Sequence, residues 1–233
     1  MRFKKIIQLF EDGNVCVTGL RGRGKDMLFA NVIIRRKIPY ISNIDYGGAF
    51  NPLNFKDIDC GHNTFKNFVS GDVNKYCFPY PDGTDVYLSD AGIYFPAQYC
   101  NELNKLYPDL AVYQCISRHV SNGNFHCNAQ SLNRVWDKIR EQSDIYIMCR
   151  KCIYFRGFVL MFITTYDKYQ SCVDRLRPLR LPLAFNSQAA MMRKIQLQTY
   201  EASHGRIEDH VLFFRNLSNY NTRQFQEILE KGK

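Results

Sequence analysis

Apolar positions along the chain switch between two periods, and the first switch is the sharpest. Val15 and Val17 lie in a short run of strand type that breaks at Gly19, Gly22 and Gly24. Met27, Leu28, Ala30, Val32 and Ile33 then recur at helical spacing, which predicts a helix over 27–37 that ends before Pro39. Ahead of the strand, residues 1–14 form a basic lead-in whose Ile6, Ile7, Leu9 and Phe10 are placed to cover the edge of a core. Residues 38–43 read as a second strand. Residues 44–82 carry many Asn, Asp, Gly and Pro and read as a loop-dominated insertion, with short elements near 65–69 and 76–80.

The next strand, 85–89, ends at Asp90. Residues 96–106 are helical in pattern, and Pro108 separates them from a second helix over 110–119. A short strand over 125–129 follows, then helical spacing over 132–140. Residues 145–149 and 153–165 are strands that predict a hairpin, turning at Arg150–Lys151 or at Arg156–Gly157. Strands alternating with helices up to about residue 140 predict an α/β fold of the P-loop NTPase type, a mostly parallel central sheet flanked by helices. From about Asp167 the pattern changes to the proline-punctuated segment Arg175-Leu-Arg-Pro-Leu-Arg-Leu-Pro182. Residues 187–203 and 219–231 have amphipathic helical spacing. The predicted division is a P-loop ATPase-like domain over 1–166 and a small basic C-terminal linker and helical extension over 167–233.

The order strand, glycine-rich turn, Lys, helix is that of a phosphate-binding loop. Glycines let the backbone bend with its N–H groups pointing inward, and the helix N-terminus adds a partial positive charge. The candidate nucleotide cradle comprises Gly19, Leu20, Arg21, Gly22, Arg23, Gly24, Lys25, Asp26 and Met27, with Lys25 reaching the β- and γ-phosphates of ATP. The pattern Gly19-x-x-x-x-Gly24-Lys25 is met, but Asp26 follows where Ser or Thr is usual. A carboxylate there is a candidate ligand of Mg2+. Without metal, a negative charge ~5 Å from a phosphate charge costs ~3 kcal/mol at an effective dielectric of ~20. Nucleotide binding is therefore expected to depend steeply on the metal. The strand Val86-Tyr-Leu-Ser-Asp90 supplies a second carboxylate at its C-terminal end, so Asp26 and Asp90 are the candidate metal ligands.

Composition narrows the partners. Of 233 residues, 45% are hydrophobic and 14% aromatic, enough for a packed core and too many for a disordered chain. Thirty-one basic against 22 acidic residues give +9, which favours polyanions, either nucleic acid or an acidic membrane face. No signal peptide or run of membrane-spanning length is visible, so a cytoplasmic chain is expected. Nine scattered cysteines, including Cys149-Arg-Lys-Cys152, suit a reducing compartment and buried free thiols better than a disulfide framework or a metal site.

Over roughly 14–166 the chain resembles the Zonula occludens toxin-like ATPases, which include the assembly proteins of filamentous phages and belong to the FtsK/HerA group of DNA-pumping motors. After the phosphate loop, Ile41-Ser-Asn43-Ile44 stands where that family has a strand ending near Thr-Asn-Ile. Asp90 matches its acidic strand end, Ser117-Arg118-His119 its Ser-Arg-His segment, residues 125–130 its strand ending in Gln, and Ile139-Arg140 its Ile-Arg helix. The resemblance implies that Lys25 neutralises phosphate, Asp90 positions Mg2+, and Gln130 senses the γ-phosphate beside the attacking water. It makes Arg118 and Arg140 candidates for a finger inserted into a neighbouring subunit's site. It also implies a homo-oligomer that handles DNA without reading its sequence during phage or mobile-element assembly, packaging or extrusion. Phage or membrane assembly partners would then hold it at the inner face of the host membrane. Arg175, Arg177, Arg180, Arg193 and Lys194 are the candidates for gripping phosphates.

One departure from the family pattern bears on hydrolysis. Family members follow the strand Asp with a Glu that polarises water, whereas this chain has Ala91 and Gly92. Glu102 lies one helix onward. A nucleotide-binding scaffold or regulator with weak or no hydrolysis is the first alternative. A small-molecule or nucleoside kinase is the second, and its lid would have to come from Arg134, Arg140, Arg150 and Arg156, which lie on largely strand-like sequence.

Overall fold

The computed structural model describes residues 3–52, 81–107, 122–183 and 186–217. The chain opens with helix α1 (Phe3–Asp12), whose Ile6 and Phe10, one turn apart, are fully buried. Strand β1 (Val15–Thr18) follows, then α2 (Lys25–Arg36), β2 (Tyr40–Ser42), β3 (Phe50–Pro52) and β4 (Asp85–Leu88). After β4 come a short helix α3 (Ala91–Tyr94), a 3-10 turn over Ala97–Tyr99 and α4 (Cys100–Leu106). The chain continues through β5 (Phe125–Ala129), a 3-10 turn over Leu132–Arg134, α5 (Asp137–Arg140), β6 (Ile145–Phe155) and β7 (Phe158–Tyr166). It ends with α6 (Tyr169–Val173), α7 (Ser187–His204) and β8 (Ile207–Arg215).

These strands form one eight-stranded sheet in the order β3-β2-β4-β5-β1-β6-β7-β8. The six strands from β3 to β6 run parallel, and β7 and β8 are antiparallel additions. The mostly parallel α/β sheet expected from the alternation is thus the observed one. Its central strands are buried on both faces, as crossover helices require. Val15 and Val17 of β1 and Tyr87 of β4 pack with α1 and α2, through Ile6, Phe10, Leu28 and Phe29. Cys16, Val86 and Leu88 point the other way, to Phe95, Trp136, Ile139 and Cys172.

Several expectations change in detail. The helical spacing over 132–140 resolves into two single turns interrupted at Val135, which makes an isolated bridge to Pro96. Trp136, the lone tryptophan, is buried there with its backbone N–H on Phe95 O at 2.8 Å, so packing of the ring overrides a continuous helix. The hairpin turns at Arg156–Gly157, both at positive φ (46° and 81°), the two-residue turn that matches strand twist. Arg150 is the extra residue of a bulge, where register shifts between Cys149 and Lys151.

The helix over 187–203 forms as α7, capped by Asn186 Oδ1, which accepts from the Ala189 N–H at 2.7 Å. It buries none of its residues, so its apolar positions are not a core-facing stripe. In the segment whose pattern predicts only a linker and helices, β8 extends the sheet along the whole of β7. The expected elements at 65–69, 76–80, 110–119 and 219–231 lie outside the described residues. No helix among the described residues is long and apolar enough to cross a membrane.

Candidate nucleotide site

β1 sits between β5 and β6 in the sheet interior, and its carboxyl end releases the chain into the glycine-rich loop. In an open α/β sheet this is the edge at which ligands bind. Gly19 (φ 151°) lies so close to β6 that a Cβ would stand 2.6 Å from Cys149 O, a backbone atom that cannot move aside. Gly24 (φ 87°) is left-handed immediately before α2, and a Cβ there would press on Cys152 Sγ and Met161 Cε at 2.9 Å. Close approach to β6 and β7 therefore shapes the loop as much as its turn does. Lys25, the first residue of α2, is only 6% exposed, unusual for a lysine and in keeping with an ammonium held inside a cradle. Burial pushes the neighbouring Cys149 thiol up to about 12, with the Lys25 charge opposing.

Asp90 follows β4, two strands from β1 with β5 between them. Its backbone is left-handed (φ 49°, ψ 50°), a conformation that Asp tolerates better than most residues, and it starts α3. Desolvation raises the Asp90 carboxyl above the usual carboxylate range; the charge of Asp26 raises it further, and Lys25 opposes both. Asn128 joins Asp26 to Asp90, donating to the Asp26 carboxylate and accepting from the Asp90 backbone N–H, which places the phosphate loop and the acidic strand end across one gap. Gln130 emerges at the end of β5 between them, exposed. It lines a cavity of about 120 Å3 with Asp90 and Arg134, and another of about 310 Å3 with Thr18, Gly19 and Arg23.

Asp26 is not a free carboxylate. Its Oδ1 accepts from the Ser89 hydroxyl at 2.5 Å, from the Asn128 side-chain amide at 2.8 Å and from the Tyr46 hydroxyl at 3.3 Å. Asn128 Oδ1 in turn accepts from the Asp90 backbone N–H at 3.0 Å. Asn43 and Ser89 exchange two hydrogen bonds, Asn43 Nδ2 to Ser89 O at 2.9 Å and Ser89 N to Asn43 Oδ1 at 2.8 Å. The ends of β2, β4 and β5 and the first turn of α2 are thereby joined in one polar network.

The donor set fits a hard divalent cation. Asp26, Asp90 and Ser89 offer oxygen alone, and Asp26 and Asp90 leave two negative charges facing one lysine. No group of three or more His, Cys, Asp or Glu side chains that could hold a metal occurs among the described residues. A pair of carboxylates completed by phosphate oxygens and water is how Mg2+ is held in nucleotide sites, rather than by an all-protein cage. Asp26 and Asp90 are the residues that would hold it, with Ser89 bound to Asp26 beside them.

The remaining sequence-derived candidates fall elsewhere. Arg140 precedes β6, whose first residue pairs with the first of β1, so it lies toward the sheet edge opposite the phosphate loop. Its guanidinium donates to Val135 O at 3.2 Å, pairs with Glu141 at 3.4 Å and covers the Tyr169 ring at 5.2 Å. Arg118, with Ser117 and His119, lies outside the described residues. Ala91 is fully buried in the core, and Glu102 is exposed on α4. Arg175, Arg177 and Arg180 are exposed along the segment after α6, and Arg177 and Arg180 face Asp209 at 3.9 and 3.8 Å.

Ser89 and Asn128 are functional candidates that sequence reading passed over. Asn128 carried a signal: an amide in the middle of a strand buried on both faces is costly without partners, so it implies them. Ser89 carried none, because a Ser before a loop Asp is ordinary.

No protein-family model matches the chain, and no curated protein matches it either. Among solved structures, the chain is similar to the genome packaging NTPase B204 of Sulfolobus turreted icosahedral virus 2 in complex with AMP, at 16% identity over 67% of this chain and 93% of that one, with a TM-score of 0.41. It is also similar to the N-terminal domain of zonular occludens toxin from Neisseria meningitidis, at 10% identity over 77% and 97%, with a TM-score of 0.42. A third is EssC (ATPases 2 and 3) from Geobacillus thermodenitrificans, at 11% identity over 83% and 44%, with a TM-score of 0.40.

Proposed function

We propose that the chain is an ATP-binding P-loop protein of motor type that handles DNA in phage or mobile-element assembly, packaging or extrusion. The observation that carries the nucleotide reading is a buried Lys25 at the head of α2, below a loop shaped by Gly19 and Gly24, with Asn128 linking Asp26 to the Asp90 backbone at the carboxyl edge of a parallel sheet. Lys25 and the loop amides bind the β- and γ-phosphates, Asp90 and Asp26 hold Mg2+, and Gln130 meets the γ-phosphate. Mg2+ would supply charge neutralisation on the phosphate oxygens.

The DNA reading rests on charge. The chain carries +9, and five basic side chains, Arg175, Arg177, Arg180, Arg193 and Lys194, are exposed after α6 and on α7. Homo-oligomerisation, with Arg118 or Arg140 of one copy completing the site of the next, belongs to the same proposal. So do anchoring partners at the inner face of a membrane. Arg140 would have to leave Val135 and Tyr169 to serve.

A second reading, a nucleotide-dependent scaffold with weak hydrolysis, is favoured by Ala91. This side chain is buried in the core and carries no proton acceptor, and Glu102 is exposed. DNA-stimulated phosphate release decides between them. Mg2+-dependent release that rises with DNA supports the motor; background release with retained ATP binding leaves the scaffold. Lys25→Ala is expected to abolish the thermal stabilisation by Mg·ATP, worth about 2.7 kcal/mol at a ligand concentration of about 100 Kd. An unchanged shift removes the phosphate loop itself.

A further inference from the structure

Asp26 stands where a phosphate loop ordinarily presents a hydroxyl, and a hydroxyl meets it from the facing strand. Ser89, one residue before Asp90, donates to Asp26 Oδ1 at 2.5 Å. Asn128 donates to the same oxygen at 2.8 Å and to Ser89 Oγ at 3.2 Å. Neither donor can turn away. The Asp90 backbone N–H can only donate, so the amide oxygen of Asn128 must face it and the NH2 must face Asp26. Ser89 is held at both backbone groups by Asn43. Ser89 and Asn128 are both 0% exposed, so water does not compete for these bonds. No hydrogen bond from the described residues reaches Asp26 Oδ2.

We propose that the phosphate loop supplies a carboxylate, Asp26, where a hydroxyl is usual in a metal–nucleotide site, with Asn128 as the positioning residue that fixes it. Oδ1 is saturated by Ser89, Asn128 and Tyr46, and Oδ2 is left as the oxygen of Asp26 available to the metal ion of an incoming complex. The ligand of the site is then the metal–nucleotide complex, not free nucleotide, because a fixed carboxylate beside the phosphates repels them until a cation lies between. This rests on the nucleotide reading above.

A double-mutant cycle on the full chain tests the role, read by calorimetric titration with ATP in Mg2+ or in EDTA. Asn128→Ala is expected to weaken Mg·ATP binding about tenfold and to leave binding in EDTA within about twofold. Asp26→Ser is expected to tighten ATP binding in EDTA by at least about tenfold, since the repelling charge is gone. In the Asp26→Ser background, Asn128→Ala should change Mg·ATP affinity by less than about twofold, because no carboxylate remains to be held. An equal loss in both backgrounds means that Asn128 acts through packing alone, and overturns the proposal. Should Asn128→Ala not fold, Asn128→Ser keeps a small polar side chain in the strand while withdrawing the amide donor from Asp26, and its loss must likewise vanish with Asp26→Ser. Lys25→Ala separates the two levels: wild-type ATP binding in that variant refutes the nucleotide site, whereas abolished binding with an additive cycle refutes the positioning of Asp26 alone.

Discussion

Asp90 sits under three stresses: partial burial, the nearby charge of Asp26 and a left-handed backbone. Its carboxyl is raised, so the folded chain holds that proton to higher pH than the unfolded chain does. Stability from Asp90 is therefore present at low pH and is lost as pH rises through the folded-state value. Without nucleotide, Asp90→Asn should match wild type near pH 4 and be more stable above it. The gain is small, because Asp90 is only partly buried and solvent screens its charge. Thermal melts across pH check this; a less stable variant at pH 7 would mean that the carboxylate is a net structural asset. Stability sacrificed at one acidic residue is what a group kept for a cation looks like. The phosphate loop and Asp90 were legible in sequence because each is a contiguous run of residue types with its own local physics. Asn128 and Ser89 acquire their meaning only from what lies across the sheet.

At the scale of elements, the sheet edge opposite the site is locked by a second polar network. Asp85, at the start of β4, is 1% exposed; it pairs with Arg36 from the last turn of α2 and accepts from the Asn124 N–H at 2.9 Å and from the Tyr87 hydroxyl at 3.3 Å. His126 Nδ1 accepts from the Val15 N–H at 3.2 Å, so the ring proton resides on Nε2 and is donated to Asp85 at 3.2 Å. One carboxylate thus joins α2, β4 and β5, and through His126 reaches β1. Burial holds the Tyr87 hydroxyl up near 12, with Arg36 opposing. Asp85→Asn leaves the Arg36 guanidinium buried without its counter-charge and is expected to cost about 3–5 kcal/mol in denaturant unfolding. A loss below about 1 kcal/mol would show that Arg36 escapes to water. Because α2 carries the phosphate loop at one end and Arg36 at the other, this lock also fixes the angle at which the loop meets β1. In sequence, Asp85 and Arg36 are 49 residues apart and neither looks special.

For the whole molecule, the surplus of nine positive charges is unevenly used. Asp209 alone faces Arg150, Arg177 and Arg180 at 4.0, 3.9 and 3.8 Å, so one carboxylate meets three guanidiniums. Arg150 is fixed by Thr164 and Tyr166, whereas Arg177 and Arg180 are largely exposed and available to an external polyanion. Replacing both by Ala should lower the slope of log affinity against log salt for a labelled oligonucleotide by about 1.4–1.8, equally for unrelated sequences. An unchanged slope would assign these arginines to holding the segment onto β8 and not to DNA.

Local pattern determined the central parallel strands of this protein, but not the edge strand β3, which lies in a segment that reads as loop. Buried β1, β4 and β5 read as short apolar runs, and the glycine-rich loop between β1 and α2 follows from residues that are neighbours in the chain. Local pattern did not determine β8, whose Glu208, Asp209 and His210 look like a solvated loop until β7 pairs with them. It did not determine the fate of Asp26 either. That carboxylate finds its partners 63 and 102 residues away, and only the closing of the sheet brings β4 and β5 to the loop. Periodicity records which face of an element is dry. Which polar atom meets which across the dry faces is set by strand order, and that belongs to the folded molecule.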